Sequence, residues 1–161
     1  MRALVRKHGA ARKRIGWIDL HTGLGPSGHG ERIFAGRDDA AAYARARAWW
    51  GEVTSIYDGS STSAVLTGLM WLAAYEECAQ AEYTGIALEY GTEPQAEVIG
   101  SLRADQWLEN HPDADAATRR AIKTQVRDAF YTDTDAWKEQ IVAQAVDASY
   151  GAVRGLGAGG T

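Results

Sequence analysis

Up to Tyr90, apolar positions alternate between short β-compatible runs and longer helical stripes. Ile15-Gly16-Trp17-Ile18-Asp19-Leu20 predicts a strand at 15–20 that empties into a loop at 21–31, where glycine, proline and serine accumulate as turn formers. An Ala/Arg-rich stretch from Asp38-Asp39 to Trp50 predicts a helix, with both acids at its positive N-terminal end. Val53-Thr54-Ser55-Ile56-Tyr57 predicts a second strand closed by Asp58-Gly59, and Ser60 to Ser63 a polar loop. Leu66, Leu69, Met70, Ala73 and Ala74 recur at helical spacing up to Gln80, and residues 83–90 predict a third strand. Strand, helix, strand, helix, strand argues for an α/β fold with a mostly parallel sheet flanked by helices, and ligands of such sheets gather at the carboxyl ends of the strands. Beyond Pro94 the pattern is helical over 95–109, about 114–130 and 135–150, so the C-terminus is expected to be helical up to a glycine-rich, frayed tail at 151–161.

Composition narrows the function classes. The chain has 161 residues, 45% of them hydrophobic, which suits one buried core. Its formal charge is -4, and the basic residues Arg2, Arg6, Lys7, Arg12, Lys13 and Arg14 open the sequence with no acid among them. The remainder is acidic, so no nucleic-acid partner is expected and the lead segment 1–14 is read as a solvated arm. The lone Cys78 cannot form an internal disulfide, and no apolar run is long enough to span a bilayer, so no membrane partner is expected either. Ala3-Leu4-Val5 is followed at once by Arg6-Lys7-His8, which denies the N-terminus a secretory core; the Arg-rich, acid-free start also suits an organelle transit peptide, and a cytoplasmic protein is the favoured expectation. The organisation expected is thus a basic lead at 1–14, a main domain at 15–150 and a tail at 151–161.

Two strand ends carry candidate chemistry. Alternation along the first strand puts Asp19 and His21 on one face; a strand-end histidine suits a metal, and Asp19 is placed to orient it. A structural histidine hydrogen-bonded to that aspartate fits the same two residues. On the third strand Glu89 shares a face with Gly85 and Ala87, whose small size leaves space for a ligand, and a partly dry cleft gives Glu89 the raised pKa that acid/base chemistry needs. The alternative is a structural ion pair with Arg103. His29 and Glu31 flank Gly30 and, with His21, make a His/His/Glu set of the right chemistry for a metal, although the spacing favours a structural or substrate-positioning role. Gly23-x-Gly25-x-x-Gly28 spells a dinucleotide fingerprint, with Asp58 ending the next strand, but Pro26 removes an amide and no helix follows directly. Ser60-Ser61-Thr62-Ser63 lacks a nucleophile elbow, Trp49, Trp50, Trp71, Trp107 and Trp137 are expected to pack, and Cys78 to be a buried bystander.

Three blocks in order, Trp17-Ile18-Asp19-Leu20-His21-Thr22-Gly23-Leu24-Gly25-Pro26 with Gly28-His29-Gly30-Glu31, then residues 83–92, then Leu102-Arg103-Ala104-Asp105-Gln106-Trp107-Leu108, resemble a bacterial domain-of-unknown-function branch of the zinc carboxypeptidase superfamily. That superfamily includes the succinylglutamate desuccinylase and aspartoacylase enzymes. The resemblance runs from about residue 15 to 150 and implies zinc as cofactor, small peptides or acyl-amino acids as substrates, His21 as a zinc ligand and Glu89 as general base for zinc-bound water. It leaves Asp19, Thr22, His29, Glu31 and Arg103 as residues that orient ligands or position substrate.

The chain departs from the superfamily in one respect. The early His-x-x-Glu zinc pair is absent, since His8, His21, His29 and His111 are each followed by other residues at that spacing. A catalytic zinc needs three protein ligands, so the chain is expected to correspond to the C-terminal half of the catalytic domain and to be inactive alone. A complementing N-terminal half is one expected partner. The alternative is a non-catalytic interaction module that self-associates through apolar surface uncovered by the missing half, as a homo-oligomer.

Overall fold

The computed structural model describes residues 1–158; Gly159, Gly160 and Thr161, the end of the expected tail, lie outside the described residues. The elements in order are α1 (Arg2–Gly9), β1 (Arg14–Ser27), β2 (Gly30–Phe34), α2 (Ala40–Trp50), β3 (Thr54–Ser55), α3 (Leu72–Glu77), β4 (Glu82–Gly91), α4 (Gln95–Glu109), α5 (Ala116–Phe130) and α6 (Asp135–Gly157). The fold is α/β, with a mixed, mostly parallel sheet in the order β1-β4-β2-β3.

Main-chain bonds fix the strand directions. Glu82 N–H donates to the Lys13 carbonyl at 2.8 Å and Gly28 N–H to the Gly91 carbonyl at 3.0 Å, so β1 and β4 start together and end together. Ala35 N–H donates to the Gly85 carbonyl at 3.1 Å and Gly91 N–H to the His29 carbonyl at 3.0 Å, so β2 runs against β4. β3 is parallel to β2, with Ile33 opposite Thr54 and Phe34 opposite Ser55. Only Gly28 and His29 link β1 to β2, yet β4 lies between them. Two strand spacings of about 4.8 Å are within reach of that short link.

Several expectations change. β1 does not empty into a loop at His21 but runs on to Ser27. The glycines that look like turn formers serve the strand: Gly23 has φ 135° and Gly25 φ 94°, conformations that let β1 carry more residues than β4 while its two ends stay in register. β2, hidden behind Glu31 and Arg32, is an additional strand, β3 is cut to two residues, and α3 spans only Leu72–Glu77 of the helix expected over 66–80. α2 follows its sequence cues, since the Asp39 carboxylate accepts N–H bonds from Ala41 at 2.8 Å and Ala42 at 3.3 Å as an N-cap.

The chain forms two compact units. One comprises Met1–Leu20, Glu31–Leu88 and the chain from Gln144 onward; the other comprises His21–Gly30 and Glu89–Ala143. In the first, Ala35, Trp71, Ala74 and Tyr83 form a buried cluster joined by Val5, Ile15, Trp17 and Tyr75. The basic lead stays largely exposed but is not a loose arm: it forms α1, which packs on α3, Arg2 pairs with Glu76 and Glu77, and Arg6 pairs with Glu77 at 2.8 Å. Those two guanidinium groups hold the Glu77 carboxyl below its ordinary range. Cys78 is buried beside α1, its Sγ 3.7 Å from the Val5 carbonyl.

The expected frayed tail is helical through Gly157. Gly151 and Gly155 are buried because the indoles of Trp49 and Trp50 press against them, leaving no room for a Cβ. Trp50 is the anchor, buried with its Nε1–H donating to the Ala148 carbonyl at 2.8 Å. Trp50→Ala is expected to cost about 3–5 kcal/mol in urea denaturation, from the cavity and the orphaned carbonyl together. A loss below about 1 kcal/mol would show that this contact does not hold α6 in place.

In the second unit, α4 and α5 pack together, with Val98, Leu108 and Ala129 buried. Trp137 is buried as expected, whereas Trp107 is exposed and stacks on His111 at a ring separation of 3.9 Å. His111 follows the end of α4 and its Nδ1 pairs with the Trp107 carbonyl at 2.8 Å, so the stack needs no core.

Candidate functional site

The second unit holds a buried carboxylate. Glu89, near the end of β4, is 8% exposed, and its Oε1 accepts the Leu24 N–H of β1 at 3.1 Å. Two residues on, Gly91 binds three partners through its main chain. Its N–H donates to the His29 carbonyl, and its carbonyl accepts the Gly28 N–H at 3.0 Å and the Trp137 Nε1–H at 2.9 Å. A Cβ at Gly91 would collide with the carbonyl groups of Pro26 and Gly25, so the residue type is dictated by the approach of β1. The Thr92 hydroxyl donates to the Ala129 carbonyl at 2.7 Å, and the Tyr90 hydroxyl to that of Ile141 at 2.9 Å. The glutamate therefore sits on a main chain fixed on every side.

The candidates from sequence divide between the units. His21, Thr22, His29 and Arg103 share the second unit with Glu89, whereas Asp19 and Glu31 belong to the first. His21 is exposed on β1, in the strand that supplies Leu24 to Glu89. Thr22 is a structural tie, its Oγ1 donating to the Phe130 carbonyl at 2.8 Å. The neighbouring Gly23 lies under the Phe130 ring, where a Cβ would be 2.7 Å from Cε1. His29 is exposed, and its main chain closes the link between β1 and β2. Arg103 is exposed on α4 and forms no ion pair among the described residues, so the alternative Glu89–Arg103 pair is not made.

Glu31 anchors a loop. It is buried and accepts bonds from Thr54 Oγ1 at 2.6 Å, from Thr62 N–H at 3.2 Å and from Thr62 Oγ1. Burial works against its charge, but the bonds from Thr54, Thr62 and Ser61 outweigh it and hold the carboxyl below its ordinary value of 4.5. The stabilisation is thus complete above the ordinary value and lost as pH falls through the lower, folded value. Glu31→Gln is expected to cost about 1–3 kcal/mol at neutral pH, and the gap in melting temperature to the wild type should close between about pH 5 and pH 3. A gap independent of pH would exclude the carboxylate as its source.

The row of small residues leading to Glu89 does not leave a ligand space at Gly85. The Tyr83 side chain folds over that glycine, its hydroxyl occupying the position a Cβ would take. Burial, then Tyr75 and Asp19, push the phenol upward, and its oxygen has no hydrogen-bond partner among the described residues. The Gly23-x-Gly25-x-x-Gly28 segment leads into β2 and not into a helix, so it offers no helix-end amides to a pyrophosphate.

Among the described residues no three His, Cys, Asp or Glu side chains are grouped to hold a metal ion. The His21, His29 and Glu31 set is not assembled, and the residues present do not fit a catalytic zinc, which needs three protein ligands. Leu24, Gly91 and Trp137 were not singled out from the sequence as supports of the Glu89 region. A glycine closing a β run two residues after an acid is a signal that could have marked this support.

A mixed α/β sheet whose central strand ends in a buried, main-chain-held carboxylate is the class of structure these contacts define. The chain belongs to the DUF2817 family, described as proteins of unknown function, whose sequence profile matches residues 1–144. Comparison with curated proteins and with solved structures returns no match. No helix among the described residues is long and apolar enough to cross a membrane.

Proposed function

We propose that this chain supplies the general base of a hydrolase that cleaves amide bonds in short peptides or acylated amino acids, with Glu89 as that base. One observation carries the proposal: the Glu89 carboxylate is buried near the end of the central strand and accepts the Leu24 main-chain N–H. The resemblance of the three sequence blocks to zinc carboxypeptidases supports the same chemistry. In the step assigned to it, Glu89 takes a proton from a water as the water oxygen bonds to the carbonyl carbon. It then returns that proton to the departing amine nitrogen. The zinc implied by the resemblance is not accommodated by the described residues, so further ligands beside His21 would come from a second polypeptide, and the chain alone is inactive.

The test is complementation. The purified chain is assayed with short peptides and N-acyl amino acids, alone and then bound to a polypeptide carrying the His-x-x-Glu segment of a zinc carboxypeptidase of the superfamily it resembles. No turnover alone and chelator-sensitive turnover in the complex are expected. Turnover by the isolated chain, or a stable complex that hydrolyses neither substrate class, would overturn the proposal.

A further inference from the structure

The first unit carries a groove of about 320 Å³ lined by Arg14, Arg45, Trp49, Gly151, Arg154 and Gly155, among others. Its three arginines come from β1, α2 and α6, far apart in sequence. One carboxylate faces two of them: Glu82 Oε1 lies 3.4 Å from Arg14 Nε, and Glu82 Oε2 3.5 Å from Arg45 Nε. Arg154 forms no ion pair or side-chain hydrogen bond among the described residues. Three guanidinium groups against one carboxylate leave a surplus of two positive charges.

The donors are partly preset. Arg14 spends Nη1 on the Leu156 carbonyl at 2.6 Å, which covers a C-terminal carbonyl of α6 that would repel an anion. Arg45 spends Nε on Thr84 Oγ1 at 3.4 Å and Nη2 on the Tyr83 carbonyl at 3.3 Å. These bonds fix both forks and leave Arg14 Nη2 and Arg45 Nη1 without an acceptor among the described residues. Planar guanidinium donors held in place match the oxygens of phosphate. The Trp49 indole, backed by Gly155, gives the same groove a flat apolar wall.

We infer that this groove binds a dianionic phosphate monoester, the phosphate on Arg14, Arg45 and Arg154 and a flat organic group on Trp49. The site is separate from Glu89 and independent of the hydrolase proposal. Calorimetric titration of the full chain with phenyl phosphate, inorganic phosphate and succinate tests it. Phenyl phosphate is expected to saturate one site per chain below about 1 mM, and to bind more tightly than inorganic phosphate or succinate. Arg154→Glu should weaken it by at least about tenfold without moving the melting temperature, because Arg154 holds nothing else. Glu82→Gln should tighten it by removing the opposing charge. Absence of saturation up to about 10 mM, or an unchanged affinity in Arg154→Glu, would overturn the site. Succinate binding as tightly as phenyl phosphate would overturn its assignment to phosphate.

Discussion

Gly91→Ala is expected to destabilise the protein by about 4 kcal/mol or more, an unusually large cost for adding one methyl group. The methyl would enter the space held by the carbonyl groups of Pro26 and Gly25, which are main-chain atoms with no rotamer to change. Gly91 cannot retreat either, because the His29 carbonyl, the Gly28 N–H and the Trp137 indole hold its own main chain. Relief requires breaking the paired ends of β1 and β4, and so loosening the Leu24 bond to Glu89. Gly100→Ala is the matched control. Gly100 lies within α4 with open space where its Cβ would be, so alanine there should stabilise by about 0.5–1 kcal/mol. Urea denaturation of the two variants measures both, and a Gly91→Ala loss below about 1 kcal/mol would mean that β1 yields easily.

Glu89→Gln should leave the fold standing and remove hydrolysis. The amide keeps an oxygen that accepts the Leu24 N–H, so the melting temperature should change little. What it lacks is a lone pair basic enough to take a proton from water, and turnover in the complemented enzyme should fall by about 10²–10⁴-fold. The loss should appear in kcat with substrate binding retained, since Glu89 is assigned to the reacting water and not to holding the substrate. Equal losses in kcat and in the population of folded protein would reduce Glu89 to a structural role. Undiminished turnover in a folded variant would remove it from the mechanism.

Elements whose cues are local were legible in the sequence. The acids Asp38-Asp39 mark the start of α2, where the Asp39 carboxylate binds the next free amides. β4 declares itself because a strand flanked on both sides is rich in apolar and aromatic residues, here Tyr83, Ile86, Ala87, Leu88 and Tyr90. Where glycine answers to a distant partner, the local cue misleads. Gly23 and Gly25 look like a loop but give β1 its extra length, and Gly151 and Gly155 look like a frayed end but receive Trp49 and Trp50. Glu31 was legible as a carboxylate with a task but not as the anchor of the hydroxyl run at Ser61 and Thr62, since that depends on a loop some thirty residues later folding back. His21 and Glu89 fall in one unit, but His21 lies within β1 and not at a strand end, and a complete set of metal ligands does not gather around them.

The placement of β4 between β1 and β2 puts the order of synthesis at odds with the order of assembly. As the chain leaves the ribosome, β1 and β2 emerge together, joined by a link short enough to close them onto each other as a hairpin. That pairing uses the edges β4 must later occupy, so any such closure has to reopen once Gly91 has been made. Separations of this length in sequence slow the acquisition of native contacts, and two strand edges wait exposed in the interval. The strand order thus makes the insertion of β4 between β1 and β2 a late, non-local step of folding.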